Sequence, residues 1–230
     1  MNSVLIYYRQ VVFVLILFLL TLITKNTVSV YGQASTLPQP EVITSKQGLP
    51  QAFVPAIVQD QQGFIWMATR DGLCRYDGKN FKVFQPTTDS TPGISSASLS
   101  ALSLDKQGRI WVFSDLNDID ILDPLQEKFI NFSREPFFKR QLGQDVIQTH
   151  YFDQKGQLWL SFRSSKIACI DPATRHLRQY QLRSSYSDYS AFAQDKQGTI
   201  WLSNREGLYR LDPLTDQFIK YPFPIMMSEA

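Results

Sequence analysis

The chain is poor in the residues that build metal and disulfide sites, with two cysteines and two histidines among 230 residues. That is too few for a zinc module or a disulfide scaffold. It also lacks an excess of either charge: 23 Lys and Arg stand against 21 Asp and Glu. Both charges of the first 34 residues, Arg9 and Lys25, are basic, so the chain beyond Ala34 carries 21 of each sign. No basic field remains to draw in nucleic acid or an anionic membrane. Long hydrophobic runs are missing too. The apolar stretch Val11–Ile23 is 13 residues long, which suits the core of an export signal and falls short of the ~20 that cross a bilayer as a helix. What is present, 43% hydrophobic and 13% aromatic residues, is the composition of a globular chain and not of a disordered one.

Residues 1–34 read as a signal peptide. Arg9 precedes the apolar run, and Gly32 and Ala34 offer small side chains for cleavage after either one. The alternative is an uncleaved anchor that recruits Val4–Tyr8 as extra length, although Arg9-Gln10 interrupts it. Either way the remainder is expected to be exported, to the periplasm or the periplasmic side of the inner membrane. Membrane contact is expected only through that N-terminal segment or through downstream regions.

The four tryptophans share one local frame. DQQGFIW, DKQGRIW, DQKGQLW and DKQGTIW place Asp60, Gly63 and Trp66, then Asp105, Gly108 and Trp111, then Asp153, Gly156 and Trp159, then Asp195, Gly198 and Trp201 at identical offsets. The indoles are 45, 48 and 42 residues apart. Such a period marks internal repetition. Each copy continues through a turn (RDGL, REGL, or a longer one without Gly-Leu) to a strand ending in Asp, then a polar turn (DGKN, DPLQ, DPAT, DPLT). A last strand follows, FKVF, FINF, LRQY or FIKY. Asp can accept backbone N–H bonds just ahead of it, and Gly can take the left-handed conformation that closes a hairpin.

The second strands FIWMA, RIWVF, QLWLS and TIWLS are apolar on both faces, which predicts sheets covered on both sides. Four-stranded antiparallel units stacked between like neighbours are the blades of a β-propeller. Burying one Trp removes ~150–250 Å² from water, roughly 4–6 kcal/mol gross before chain entropy. The repeat residues are therefore read as structural. The expected organisation is a lead-in at 35–46, with a strand at Glu41–Ser45, followed by repeats over 47–230. Blades are expected at about 50–85, 97–133, 145–181 and 188–222.

The stretch QGLPQAFVPAIVQDQQGFIWMATRDGLCRYDGKNFKVF, Gln47–Phe84, resembles the opening blade of the two-component regulator propeller family. These are extracytoplasmic sensor modules of hybrid histidine kinases. The resemblance runs from Glu41 to about Tyr221. It departs from the family at Ala68, Ser161 and Ser203, where Gly is usual, and in the turns of copies two and three. It implies the receptor half of a signalling protein, with oligosaccharides as the common ligands. It also implies a ring of about seven blades, whereas four are countable here. The expectation is an all-β propeller in the form of an open arc. The missing blades or a second chain would then cover its edges, and self-association of the purified chain is expected. A compact four-bladed ring and completion by oligomerisation are the alternatives.

For ligand binding, the residues four beyond each Trp, Arg70, Asp115, Arg163 and Arg205, fall on one rim. Guanidinium groups there would suit carboxylates or sulfates of an acidic sugar. The plain alternative is a solvated rim in which Arg70 or Arg163 pairs with Asp115. Tyr186, in a blade-to-blade loop, is the candidate for stacking on a sugar ring, and Tyr189 is read as packing. His150 occupies the slot of Ile57, Leu102 and Phe192 and is expected to be buried and hydrogen-bonded. Cys74 and Cys169 lie on third strands with a blade between them, too far apart to bridge. The Asp-x-x-Gly turns offer one carboxylate each, so no metal or cofactor site is expected.

Three functions compete: a glycan-responsive sensor module, a propeller-fold lyase or hydrolase acting on polysaccharide, and a protein-interaction scaffold. An enzyme would need an acid/base set clustered at the channel mouth, and no such set is apparent. The expected answer is a non-catalytic sensor.

Overall fold

The computed structural model describes residues 9, 11–17, 40, 42–87, 92–143, 145–183 and 191–221. The chain divides into two units, Met1–Val42 and Ile43–Ala230. In the first, residues 11–17 are helical, and no helix among the described residues is long and apolar enough to cross a membrane. The second holds all the strands among the described residues.

Each Asp-x-x-Gly segment nucleates one sheet. Asp60 Oδ1 accepts the amides of Gln62 and Phe64 at 3.0 and 2.9 Å, and Gly63 closes the turn at φ 90°. The same turn recurs at Asp105, Asp153 and Asp195. The second carboxylate oxygen does something the local pattern did not announce. It accepts the indole N–H of the Trp six residues on, at 2.7 Å for Asp60–Trp66 and at 2.9, 3.0 and 2.9 Å in the other copies. A buried indole N–H needs such a partner. One carboxylate therefore ties the turn to the core residue.

From these turns run four antiparallel meanders. The first blade is β1 (Ala56–Gln59), β2 (Ile65–Thr69), β3 (Gly72–Tyr76) and β4 (Phe81–Phe84). The second is β5 (Leu99–Leu104), β6 (Ile110–Ser114), β7 (Ile119–Asp123) and β8 (Lys128–Ile130). The third is β9 (Ile147–Phe152), β10 (Leu158–Phe162), β11 (Lys166–Ile170) and β12 (Leu177–Gln181). The fourth is β13 (Ala191–Gln194), β14 (Ile200–Asn204), β15 (Gly207–Asp212) and β16 (Gln217–Tyr221). In the β2–β3 and β14–β15 turns, Gly72 and Gly207 have φ of 103° and 147°. Copies two and three lack that Gly, and Asn117 and Ser165 take the left-handed conformation instead, at 67° and 64°.

Trp66, Trp111 and Trp159 are 0%, 0% and 1% exposed. Each lies in a cluster with the following blade: Trp66 with Leu99, Leu102 and Ile110, Trp111 with Leu158 and Leu160, Trp159 with Ile200 and Leu202. Trp201 is only half-buried, touching Tyr221 of its own sheet. Among the described residues no hydrophobic cluster joins the fourth sheet to the first. The four blades form an open arc.

Polar contacts repeat across the same junctions. The third-to-fourth-strand turns hold Glu127, Arg175 and Asp216 in the left-handed conformation, at φ 53°, 62° and 49°; Glu127 and Asp216 reach back to the preceding blade and Arg175 to the link that follows blade two. Glu127 pairs with Arg75 at 2.7 Å and with Lys82. Arg175 pairs with Glu135 at 2.8 Å and sits 4.9 Å from the Phe132 ring centre. Asp216 accepts from Tyr180 at 3.1 Å and lies 3.5 Å from Arg178.

One expectation is corrected. The lead-in strand at Glu41–Ser45 does not form over the residues described: Val42–Thr44 are irregular and Ser45–Gln47 form a 3-10 helix. A strand is held by the neighbour it pairs with, whereas Thr44 and Gln47 cap this segment through local bonds. The next residues, Leu49 and Val54, cover the face of the first blade that carries Met67 and Cys74. The link between blades two and three carries structure of its own. It holds a 3-10 turn at Phe132–Arg134 and a helix at Pro136–Leu142. Pro136 opens the helix, Phe138 and Leu142 bury one face a turn apart, and Gly143 ends it at φ 68°.

Candidate functional site

In an antiparallel meander, the second-to-third-strand turns and the blade-to-blade links emerge at the same end of every sheet. Backbone bonds stitch the two together here: Gly72 N–H to Ala97 O at 2.8 Å, Asp115 N–H to Ser98 O at 3.0 Å, Arg163 N–H to Val146 O at 2.9 Å. This end carries Arg70, Asp115, Arg163 and Arg205, all exposed, each directly after a second strand. They follow the second strands of four successive blades. Arg70 lies 4.7 Å from the Phe53 ring centre, and its backbone N–H donates to Gln51 Oε1 at 3.1 Å. Asp115 accepts from the Ser98 hydroxyl at 2.7 Å. Each sits on its own blade, and Arg70 and Asp115 are engaged by separate neighbours. Tyr186 and Tyr189 lie outside the described residues.

His150, on β9, joins the inner strands of blades two and three. Its Nε2 is 2.9 Å from the Ser103 hydroxyl, and the ring stacks at 3.7 Å on Phe113. Burial pushes its pKa down to about 4, which keeps the imidazole neutral at pH 7. Cys74 and Cys169 are free and buried on β3 and β11, and burial raises both thiols to about 11. Thiols held so far above neutrality are poor nucleophiles. Among the described residues, no group of three His, Cys, Asp or Glu could hold a metal ion.

Beside the repeat register the structure forms a groove of about 770 Å³ at the same end of the arc. Its walls are the Leu116–Asp118 turn of blade two and the linker from Ser133 to Gly143, with Arg134, Phe138 and Lys139 among the lining residues. Beneath it, Asp120 is 2% exposed and accepts from Ser95 N–H, Ser95 Oγ and Asn131 Nδ2 at 2.6, 2.7 and 2.8 Å. Burial raises the Asp120 pKa against those bonds. The network fixes the linker between blades one and two to β7. Repeat-based reading passed over the groove because Arg134 and Lys139 have no counterparts in the other copies. The available signal was a Pro followed by an apolar i, i+4 pair, Phe138 and Leu142, flanked by basic residues.

A second groove of about 520 Å³ lies between blades three and four at the opposite end, lined by Lys155, Trp159, Arg178 and Gln194. Its guanidinium is engaged: Arg178 lies 5.8 Å from the Trp159 ring centre and 3.5 Å from Asp216.

Residues 48–71, which run from the lead-in to the first rim turn, match the family model described as two component regulator propeller. Over 52 residues the chain is 40% identical to "Histidine kinase P4" of Formosa agariphila, a match covering 23% of this chain and 4% of that one. Among solved structures it resembles the extracellular domain of BT3049, assigned to the hybrid two component systems of B. thetaiotaomicron. The TM-score is 0.58 at 21% identity, over 80% of this chain and 32% of that one. It also resembles virginiamycin B lyase from Staphylococcus aureus, with a TM-score of 0.55 at 12% identity, over 75% of this chain and 56% of that one. At those identities the structural likenesses speak for the propeller fold. The chain spans about a third of the BT3049 domain and a small fraction of the histidine kinase.

Proposed function

Because this chain is built on the repeat of the two-component regulator propellers, we propose that it is the ligand-sensing part of an extracytoplasmic receptor that responds to glycans. The single observation that carries this reading is the match over residues 48–71. It takes in the first Asp-x-x-Gly turn, Trp66 and the rim at Arg70-Asp71. The 40% identity to a histidine kinase supports a signalling parent, and the likeness to an extracellular domain supports export to the periplasm. In this reading the rim end meets ligand. The half-buried Trp201 face receives a further blade or a second chain, as the faces of Trp66, Trp111 and Trp159 receive the blades that follow them.

A non-catalytic role is favoured by the state of His150, which is neutral, stacked on Phe113 and bonded to a hydroxyl. The lyase likeness reaches the fold and not a set of reacting groups. The test is a panel of neutral and acidic oligosaccharides titrated into the chain by calorimetry, with product analysis after long incubation. Saturable binding with the sugar recovered intact is expected. Cleavage of any panel member would overturn the sensor reading in favour of the enzyme, and no binding across the panel would remove the glycan.

A further inference from the structure

We propose that the groove between the Leu116–Asp118 turn and the helix Pro136–Leu142 is a subsite for a carboxylate- or sulfate-bearing sugar unit. This rests on the glycan reading above and adds the place and the charge of the ligand. Arg134 is aimed by two acceptors: Nε lies 3.5 Å from Asp118 Oδ1, and Nη2 donates to Ser95 O at 3.2 Å. Those contacts use the Nε–Nη2 edge of a side chain that is 52% exposed and leave Nη1 to meet an anion. Lys139 stands one residue after the buried Phe138, on the outer side of the helix. Among the described residues no carboxylate lies within ion-pair reach of it. With Asp118 as the acid in the lining, the groove carries a net positive charge.

The rest of the lining suits a sugar. Asp118, half-buried, has a second oxygen to accept from a hydroxyl. Leu116, 73% exposed, offers apolar surface to the C–H face of a pyranose. The wall is held in place before any ligand arrives. Asn117 donates to Asp145 O at 3.3 Å and accepts the Ile147 amide at 3.1 Å, and the Ile119 amide donates to Ser133 Oγ at 2.9 Å. Preorganisation of this kind lowers the ordering cost of binding. The larger volume and the net positive lining set this groove apart from the one at Arg178, where Asp153 and Asp216 stand beside Lys155 and Arg178.

The experiment titrates a galacturonate tetramer and its neutral methyl ester into the whole chain by calorimetry, with inorganic sulfate as a control. The acidic tetramer is expected to bind at least tenfold tighter than the ester. Arg134→Ala and Lys139→Ala are each expected to weaken it about tenfold or more, and Arg140→Ala, outside the lining, to change it less than twofold. Lys139 is exposed, so its variant remains informative if Arg134→Ala folds poorly. Binding that both variants leave unchanged overturns the groove while the glycan reading stands. Tighter binding of the ester overturns the charge assignment alone. Sulfate binding as tight as the tetramer overturns the saccharide. No binding of either tetramer overturns the subsite, and the broader sugar panel then decides the glycan reading separately.

Discussion

Removal of the Asp60 carboxylate should damage the first blade far more than the same deletion damages the fourth. Asp60 is 6% exposed and holds the Gln62 and Phe64 amides and the Trp66 indole N–H at 3.0, 2.9 and 2.7 Å. Asp60→Ala strands all three donors. The two amides lie at a turn where water can reach them, but the indole is 0% exposed. A buried donor without a partner costs about 1–3 kcal/mol, and bonds to a charged acceptor are stronger than average, so the whole deletion should cost roughly 3–5 kcal/mol. Asp60→Asn keeps an acceptor for the amides but turns an N–H toward the indole N–H, and should cost about 1–3 kcal/mol. At the last repeat, Asp195 and Trp201 are half-buried, water takes over the freed groups, and Asp195→Ala should lose less than Asp60→Ala. Urea melts followed by far-UV circular dichroism and indole fluorescence measure all three. The reasoning fails if Asp195→Ala costs as much as Asp60→Ala, or if Asp60→Asn is neutral.

Glu127→Ala leaves Arg75, whose side chain is 22% exposed, over Phe64 and Trp66 without its counter-charge. A loss of about 1–2 kcal/mol is expected, and a double-mutant cycle with Arg75→Met that shows no coupling would refute it. Gly72→Ala places a Cβ 2.5 Å from Phe84 O at φ 103°, whereas Gly78→Ala, at φ 95°, meets open space. The first should be the more destabilising by more than about 1 kcal/mol, and equal melting temperatures would count against the steric argument. For His150 the folded pKa is about 4 and the unfolded value is near 6.5. Its contribution is therefore fully present above about pH 6.5 and is lost as pH falls toward 4, when the unfolded chain takes a proton that the folded one refuses. The ceiling is about 3 kcal/mol. His150→Phe should flatten the stability profile across that window, and an unchanged slope between pH 6.5 and 4 would show that another group sets it.

Blade spacing and the closing of the Asp-x-x-Gly turns were legible because they are local: an acceptor, a left-handed Gly and an apolar strand recur in register. The burial of Trp66, Trp111 and Trp159 followed from strands that are apolar on both faces. The half-buried state of Trp201 did not, because its strand TIWLS resembles the others and exposure depends on the sheet that comes next. The 3-10 helix at Ser45–Gln47 was missed for a related reason. A run of β-forming residues, EVIT, becomes a strand only beside a partner. Offsets along a chain place Arg70 directly after a second strand but say nothing of what its side chain meets, and it lies against Phe53. The groove at Arg134 and Lys139 lies in a link that the repeat does not govern, so counting repeats could not find it.

Glu127, Arg175 and Asp216, at the third-to-fourth-strand turns, reach in the same direction, from a later blade to the blade or link before it. A chain leaving the ribosome or a translocon from its N-terminus would thus have each sheet fastened by its successor, in order. Growth of the arc is then vectorial: each arriving repeat clasps what the one before has already folded.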